Sequence, residues 1–184
     1  MGNRILDIGG FGNSLEILDK NFVKNNDITI LNLDNVEIKN NEVKFVKGDA
    51  TKSMLFSENN FDVVHCNSVI EHINTNKLRK ALSENIQSWG KYFLVQTPNY
   101  YFPMEPHFLF PFFQFLPLNV RAFILTKISL GTFPKESNYK NAKKIVSSVR
   151  LLKKSELQAL FPGVKIVKEK IAFFTKSFIA HNFE

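Results

Sequence analysis

Four short clusters in the first half of the chain carry residue types that suit a nucleoside-like ligand. Asp7-Ile8-Gly9-Gly10-Phe11-Gly12-Asn13 ends an apolar run in a glycine turn. Glycine lets the backbone turn tightly and approach a ligand without a Cβ clash. A helix following such a turn offers unpaired N–H groups to an anionic group. Asp34, with Asn35 beside it, lies 25 residues beyond Gly9, a spacing that places a carboxylate to accept hydrogen bonds from ribose hydroxyls. Asp49, between Gly48 and Ala50, has a carboxylate suited to accept from an adenine amino group. Cys66-Asn67-Ser68 closes a fourth apolar run. Each cluster alone is structural more often than not. Their recurrence at four successive run ends points to a nucleoside-type ligand. A nicotinamide dinucleotide is the runner-up, but it calls for G-x-G-x-x-G where this turn reads G-G-F-G, and it gives Asp49 no task.

Two histidines are candidates for acid–base work, because imidazole titrates near neutral pH. His72 follows the fourth apolar run; its bland reading is a capping or core histidine. His107, in Pro103-Met104-Glu105-Pro106-His107, follows the fifth run; its bland reading is an ordinary loop residue. Glu105 is placed to orient or charge it. His65, His72, His107 and His181 show no recognisable metal-ligand spacing, so no metal is expected. Cys66 reads as a small buried residue rather than a nucleophile.

The elements that must position these groups alternate. Arg4–Ile8, Ile28–Leu33, Val43–Val46, Phe61–Cys66 and Tyr92–Gln96 read as strands. Asn13, three residues before Glu16, resembles a capping-box start for a helix carrying Leu15, Leu18 and Phe22. Thr75–Ser88 reads as a helix with Leu78, Leu82, Ile86 and Trp89 on one face, stopped at Gly90. Lys154–Phe161 is a further helix. Val164–Lys170 and Phe173–His181 are strands whose short connection permits only an antiparallel pair. This is an α/β pattern: a doubly wound, mostly parallel, seven-stranded sheet closed by a C-terminal antiparallel strand pair.

Residues of about 100–150 break the rhythm. Phe108–Phe115 reads FLFPFFQF, and Leu118–Leu130 continues as an amphipathic stretch. Three readings stand: a core-packing helical pair, a lid over a substrate pocket, or an interfacial element for a lipid-like substrate or a dimer contact. The chain of 184 residues is expected to be a single ligand-binding domain, 1–184, with this aromatic-rich insert.

One cysteine, no signal-peptide pattern and no apolar run long enough for a membrane span lead to the expectation of a cytoplasmic protein. The net charge of +7 permits phosphate or membrane contacts, yet the lysines are scattered and read as a solvated surface.

Ile5-Leu6-Asp7-Ile8-Gly9-Gly10 resembles the first motif of class I S-adenosylmethionine-dependent methyltransferases, of the Rossmann-like, small-molecule type. Asp34 matches their acidic ribose ligand and Gly48-Asp49-Ala50 their adenine-side motif. Phe61-Asp62-Val63-Val64 through Val69-Ile70-Glu71-His72 looks like the fourth-strand motif of the subgroup that includes ubiquinone-biosynthesis methyltransferases. The resemblance spans nearly the whole chain. It implies that the turn at Asp7, Gly9, Gly10, Phe11 and Gly12 holds the methionine end of the cofactor and Asp34 with Asn35 its ribose. Asp49 and Ala50 would flank the adenine, and Asn67 would lie near the centre. Two departures stand out. Phe11 and Asn13 occupy positions usually held by glycine, and the first strand begins by Arg4, without the helices that usually precede it.

The resemblance implies methyl transfer to a small molecule, such as a sugar or a lipid-linked intermediate, with peripheral membrane contact or a homodimer as further partners. A non-catalytic binding or assembly module of the same fold is the alternative. Nucleic-acid methylation is weaker, since Asn67-Ser68-Val69-Ile70 matches no base-modifying motif closely.

Overall fold

The computed structural model of the protein describes residues 2–11, 19–38 and 40–184. A seven-stranded sheet runs through it. Its strands are β1 (Arg4–Ile8), β2 (Asp27–Asn32), β3 (Lys44–Lys47), β4 (Phe61–Asn67), β5 (Gly90–Pro98), β8 (Lys165–Ile171) and β9 (Phe174–His181), in the order β3-β2-β1-β4-β5-β9-β8. β1 to β5 pair in parallel, and β9 is antiparallel to both β5 and β8. The expected sheet and its closing pair are therefore present.

The strand–helix alternation is less regular than expected. Among the described residues, no helix joins β2 to β3 or β3 to β4. Both connections are rich in Asn, Asp and Ser, whose side chains favour turns over helix interiors. The helix start expected at Asn13 lies outside the described residues. Helix α1 (Lys20–Asn25) is capped by Asp19, whose side chain accepts from the Asn21 and Phe22 amides. Its buried residue is Val23, whereas Phe22, expected on the inner face, is exposed.

Helix α2 (Asn76–Trp89) begins where Thr75 Oγ1 accepts from the Leu78 amide at 3.2 Å, and Gly90 terminates it. Leu82, Ile86 and Trp89 enter the main core with Leu6, Val64, Val95 and, from α5 (Lys154–Leu160) and its end, Leu157 and Phe161. Leu78 is exposed instead of buried. Arg79 takes the inner position, 2% exposed, because its guanidinium donates to the carbonyls of Ile73 (2.8 Å) and Arg150 (3.0 Å). A buried cation needs such partners.

Residues 100–150 build a second core. α3 (Leu118–Leu125) packs on α4 (Tyr139–Ser147), burying Ala122 and Leu125 against Ala142 and Val146, with Phe108 and Phe113 beneath. The helical pair is thus one of packing. FLFPFFQF itself is not helical: β6 (Met104–Glu105) and β7 (Phe110–Pro111) form a small antiparallel hairpin, followed by a short 3-10 turn. Leu109, Phe112, Phe115 and Phe123 remain exposed on its outside.

Candidate active site

Register across the sheet places the four clusters on one edge. Ile8 is level with Leu31 on one side and Cys66 on the other, Leu31 with Val46, and Cys66 with Val95. The residues that follow leave the carboxyl ends of adjacent strands in the order β3-β2-β1-β4. The chain order reverses between β1 and β4, the crevice in which open α/β sheets take ligands.

The turn after β1 is held from several sides. Gly9 has φ +77°, and its N–H donates to the Leu31 carbonyl at 2.8 Å. A Cβ at Gly9 would lie 2.4 Å from Val69 Cγ2, and one at Gly10 would lie 2.1 Å from Asp7 Oδ2. The Gly10 carbonyl accepts from Asn32 Nδ2 at 3.2 Å. Asp7 Oδ1 lies 2.7 Å from His65 Nδ1, so this carboxylate braces the turn from within the sheet. Phe11 projects outward, 66% exposed, and Gly12 lies outside the described residues.

Asp34 and Asn35 are both exposed beyond β2, and the Asp34 amide donates to Asn32 Oδ1 at 3.2 Å. Asp49 is half-buried beyond β3. Its Oδ1 accepts from both the amide (2.9 Å) and the hydroxyl (2.7 Å) of Thr51. Burial alone would raise its pKa, but these hydrogen bonds and the charge of Lys52 hold it below the usual value. Ala50 is fixed by α2, since its carbonyl accepts from the buried Asn85 side chain at 2.8 Å. Asn67 is exposed at the end of β4, its Oδ1 accepting from Ser68 Oγ at 3.1 Å. The edge therefore presents a turn whose packing against Val69 and Asp7 leaves no room for a Cβ at Gly9 or Gly10, an exposed carboxylate and a clamped loop carrying a second one. This donor and acceptor set fits an adenosyl cofactor.

Beside the edge, the histidines form a compact group. A 3-10 turn (Ile70–His72) follows β4, and its ring at His72 packs edge-on against His107, centroids 4.9 Å apart. His107 Nδ1 lies 2.9 Å from Oε1 of Glu105, which is 2% exposed and accepts the Phe108 amide on its other oxygen at 2.6 Å. His107 Nε2 faces Glu71 Oε1 at 3.8 Å. Glu71 is fully buried, and its Oε2 accepts from the Thr97 hydroxyl at 3.1 Å. Its position is set by the backbone: the Arg150 amide donates to the Glu71 carbonyl at 2.9 Å, and Arg79 ties Ile73 to Arg150.

The electrostatics follow from burial and charge. Burial raises the Glu71 carboxyl above its ordinary value, with His107 and Thr97 opposing. Burial would push the His107 imidazole down, but the hydrogen bond and charge of Glu105, then the charge of Glu71, carry it above the usual value. His72 is lowered by lost solvation and by the charge of His107. Cys66, fully buried, has its thiol pushed far up by burial and does not serve as a nucleophile.

His72 and His107 are thus brought together from the segments that precede and follow β5 in the chain, and Glu105 stands where it orients His107. Glu71, Thr97 and Arg79 had no assigned role in the sequence. The adjacent Glu71-His72 pair was the available signal. Its partner His107, 35 residues beyond His72, is brought near by the insert alone.

Residues 6–87 match the family described as "Methyltransferase domain", a span covering β1 to β4 and most of α2. No curated protein matches the chain in sequence. Among solved structures, a protein from Methanosarcina mazei described as SAM-dependent methyltransferases is 14% identical, with a TM-score of 0.56 over 98% of this chain and 91% of that one. The Burkholderia thailandensis 1,6-didemethyltoxoflavin-N1-methyltransferase, solved with bound 1,6-didemethyltoxoflavin and S-adenosylhomocysteine, is 12% identical, with a TM-score of 0.56 over 98% and 70%. A Rhodobacter sphaeroides protein described as putative Zn-dependent alcohol dehydrogenases is 9% identical at the same TM-score, over 98% and 83%. At these identities the likeness shows the fold, which is that of class I methyltransferases.

Proposed function

We propose, taking residues 6–87 as a domain of the class I S-adenosylmethionine-dependent methyltransferase family, that the chain transfers a methyl group to an oxygen of a small molecule. S-adenosylmethionine is the cofactor of this family, and when bound it supplies an electrophilic methyl group on a sulfonium. In this reading Asp7 braces the turn that receives its methionine end at Gly9, Gly10, Phe11 and Gly12. Asp34 and Asn35 hold the ribose, Asp49 and Ala50 flank the adenine, and Asn67 lies beside the centre. His107, oriented through Nδ1 by Glu105, presents Nε2 to take the proton of an acceptor hydroxyl, and His72 lines the same side. Positioning supplies much of the barrier reduction in such reactions.

The observation that carries the proposal is the meeting of two sets of residues at one sheet edge: strand-end carboxylates beside a glycine turn, and a histidine held by a buried carboxylate in the loop after β5. The acceptor class is a sugar or a lipid-linked intermediate. The exposed Leu109, Phe112, Phe115 and Phe123 support an apolar acceptor tail or a homodimer contact. Among the described residues no helix is long and apolar enough to cross a membrane. The whole chain acts here as one domain, with 100–150 as its acceptor-side insert.

Calorimetry with S-adenosylmethionine and S-adenosylhomocysteine tests the reading. Asp34→Ala is expected to weaken both by about tenfold to a hundredfold, since a hydrogen bond to a charged group contributes about 1.5–3 kcal/mol and each 1.4 kcal/mol is tenfold. If wild-type protein binds neither, the enzyme reading fails and a non-catalytic module takes its place.

A further inference from the structure

We infer that Glu71, His72 and His107 form a binding site for one divalent transition-metal ion on the acceptor side. This rests on the acceptor-side residues of the reading above and exchanges one role in it, His107 Nε2 serving as a ligand in place of a base; ion binding is measured apart from cofactor binding. The three side chains each offer one ligand atom, and these atoms all lie within 4.8 Å of one another. Glu71 Oε1 and His107 Nε2 are 3.8 Å apart. Ligands at about 2.0–2.2 Å from a tetrahedral ion stand roughly 3.4 Å apart, so modest side-chain rotation closes the set.

Two independent observations point to a ligand there. Glu71 Oε1 is fully buried and has no hydrogen-bond partner, while its other oxygen is engaged by Thr97. Leaving a buried carboxylate oxygen unpaired is unfavourable, and a cation at this place removes the penalty. Second, His107 hands its Nδ1 to the buried Glu105 at 2.9 Å, which leaves Nε2 as the ligating atom. A carboxylate holding the far nitrogen is the usual support of a metal-bound histidine. Two imidazoles and one carboxylate suit borderline ions such as Zn²⁺ or Fe²⁺ better than Mg²⁺, which prefers oxygen ligands. Three protein ligands leave at least one coordination position open. The occupant is an oxygen of the acceptor, so the site selects acceptors with a hydroxyl or carboxylate. With the ion in place, His107 acts as a ligand and not as a free base.

Equilibrium dialysis of chelator-treated protein against Zn²⁺ and Mg²⁺ tests the inference, with metal content read by mass spectrometry. Wild type is expected to retain one equivalent of Zn²⁺ and to hold it at least tenfold more tightly than Mg²⁺. Glu71→Gln, His72→Asn and His107→Asn are each expected to weaken Zn²⁺ retention tenfold or more. S-adenosylhomocysteine affinity, read by calorimetry on the same samples, should stay within about twofold. His72 is exposed, so His72→Asn keeps the test open if the buried Glu71 variant fails to fold. His181→Asn, remote in sequence from the group, should retain the ion. Wild type that keeps no Zn²⁺, or variants that keep as much as wild type, would overturn the site; the group is then an ion pair of His107 with its two carboxylates. Failure of wild type to bind S-adenosylhomocysteine would sink the methyltransferase reading and leave the metal result standing.

Discussion

Phe113→Ala should loosen the insert while leaving the cofactor half folded. Phe113 is fully buried in the second core. Its ring lies 4.7 Å from that of Phe108 and 5.6 Å from that of Phe110, with the Arg121 guanidinium 6.0 Å from its centroid. Truncating a buried Phe costs about 3–5 kcal/mol, and the two ring pairs favour the upper half of that range. We therefore expect about 4 kcal/mol. With a urea slope of about 2 kcal/mol/M, the unfolding midpoint of the insert falls by roughly 2 M. None of the residues assigned to the main sheet core belongs to the insert core, so the damage should stay local. Hydrogen exchange should show amides of α3 and α4 opening early while β1, β4 and β5 stay protected. S-adenosylhomocysteine affinity should remain within about threefold, and turnover should collapse, because His107 and Glu105 sit on the damaged side. A loss below about 1.5 kcal/mol, or a cofactor affinity that falls in step with insert opening, would refute the division into two cores.

Three further predictions follow from single contacts. Asn85→Ala removes the donor to the Ala50 carbonyl, at 2.8 Å, and should lower stability by about 1–3 kcal/mol; it should also weaken S-adenosylhomocysteine several-fold by calorimetry, and unchanged affinity would detach the Ala50 loop from the adenine. Gly9→Ala combines φ +77° with a 2.4 Å clash on Val69 Cγ2 and should cost about 2–5 kcal/mol in chemical denaturation. Adding Val69→Ala should recover the clash but not the backbone strain, and full recovery would deny the strain. Glu169 has its pKa lowered by hydrogen bonds from Ser177 and Lys176 and by the charge of Lys176. A depressed carboxylate contributes stability above its unfolded value of 4.5 and loses it as pH falls through the lower native value. Wild type should thus exceed Glu169→Gln in stability at pH 7, and the two should converge in acid; parallel curves would exclude the linkage.

What the chain order reveals and conceals follows from how far apart the partners lie. β1 to β5 end within a residue or two of their apolar runs, because each run is short and bounded by Gly, Asp or Asn. Thr75 and Gly90 delimit α2 through local capping alone. Asp34 and Asp49 were visible for the same reason: they directly follow strands whose neighbours are fixed by the parallel order. Arg79 was not visible. Its burial depends on carbonyls of Ile73 and Arg150, one of them 71 residues away, and helical periodicity assigned the inner position to Leu78 instead. The insert concealed most. FLFPFFQF looks like a continuous apolar segment, yet Leu109 and Phe112 adopt positive φ of 48° and 59°, so alternate aromatics turn outward and only Phe108 and Phe113 enter the core. Spacing rules for metal ligands would not single out Glu71, His72 and His107 as a group, for a related reason. They describe ligands on one helix or one turn, whereas Glu71-His72 and His107 come from the segments that precede and follow β5 in the chain.

The two cores explain why the site is shared in this way. The sheet core carries the strand ends that hold a common cofactor, and nothing in it needs to change when the acceptor changes. The insert carries Glu105 and His107, and several of its aromatics are exposed on the outside. The two are joined at few points: the Asn99–Leu152 bridge, the Arg150 amide on the Glu71 carbonyl, and Arg79 between Ile73 and Arg150. The last two anchor the turn bearing Glu71 and His72. That turn is therefore the place where insert geometry is read by the cofactor half. An ion held by Glu71 and His72 from the sheet side and His107 from the insert would be a further tie across the same junction, so that its loss is felt in the insert before it is felt in the sheet.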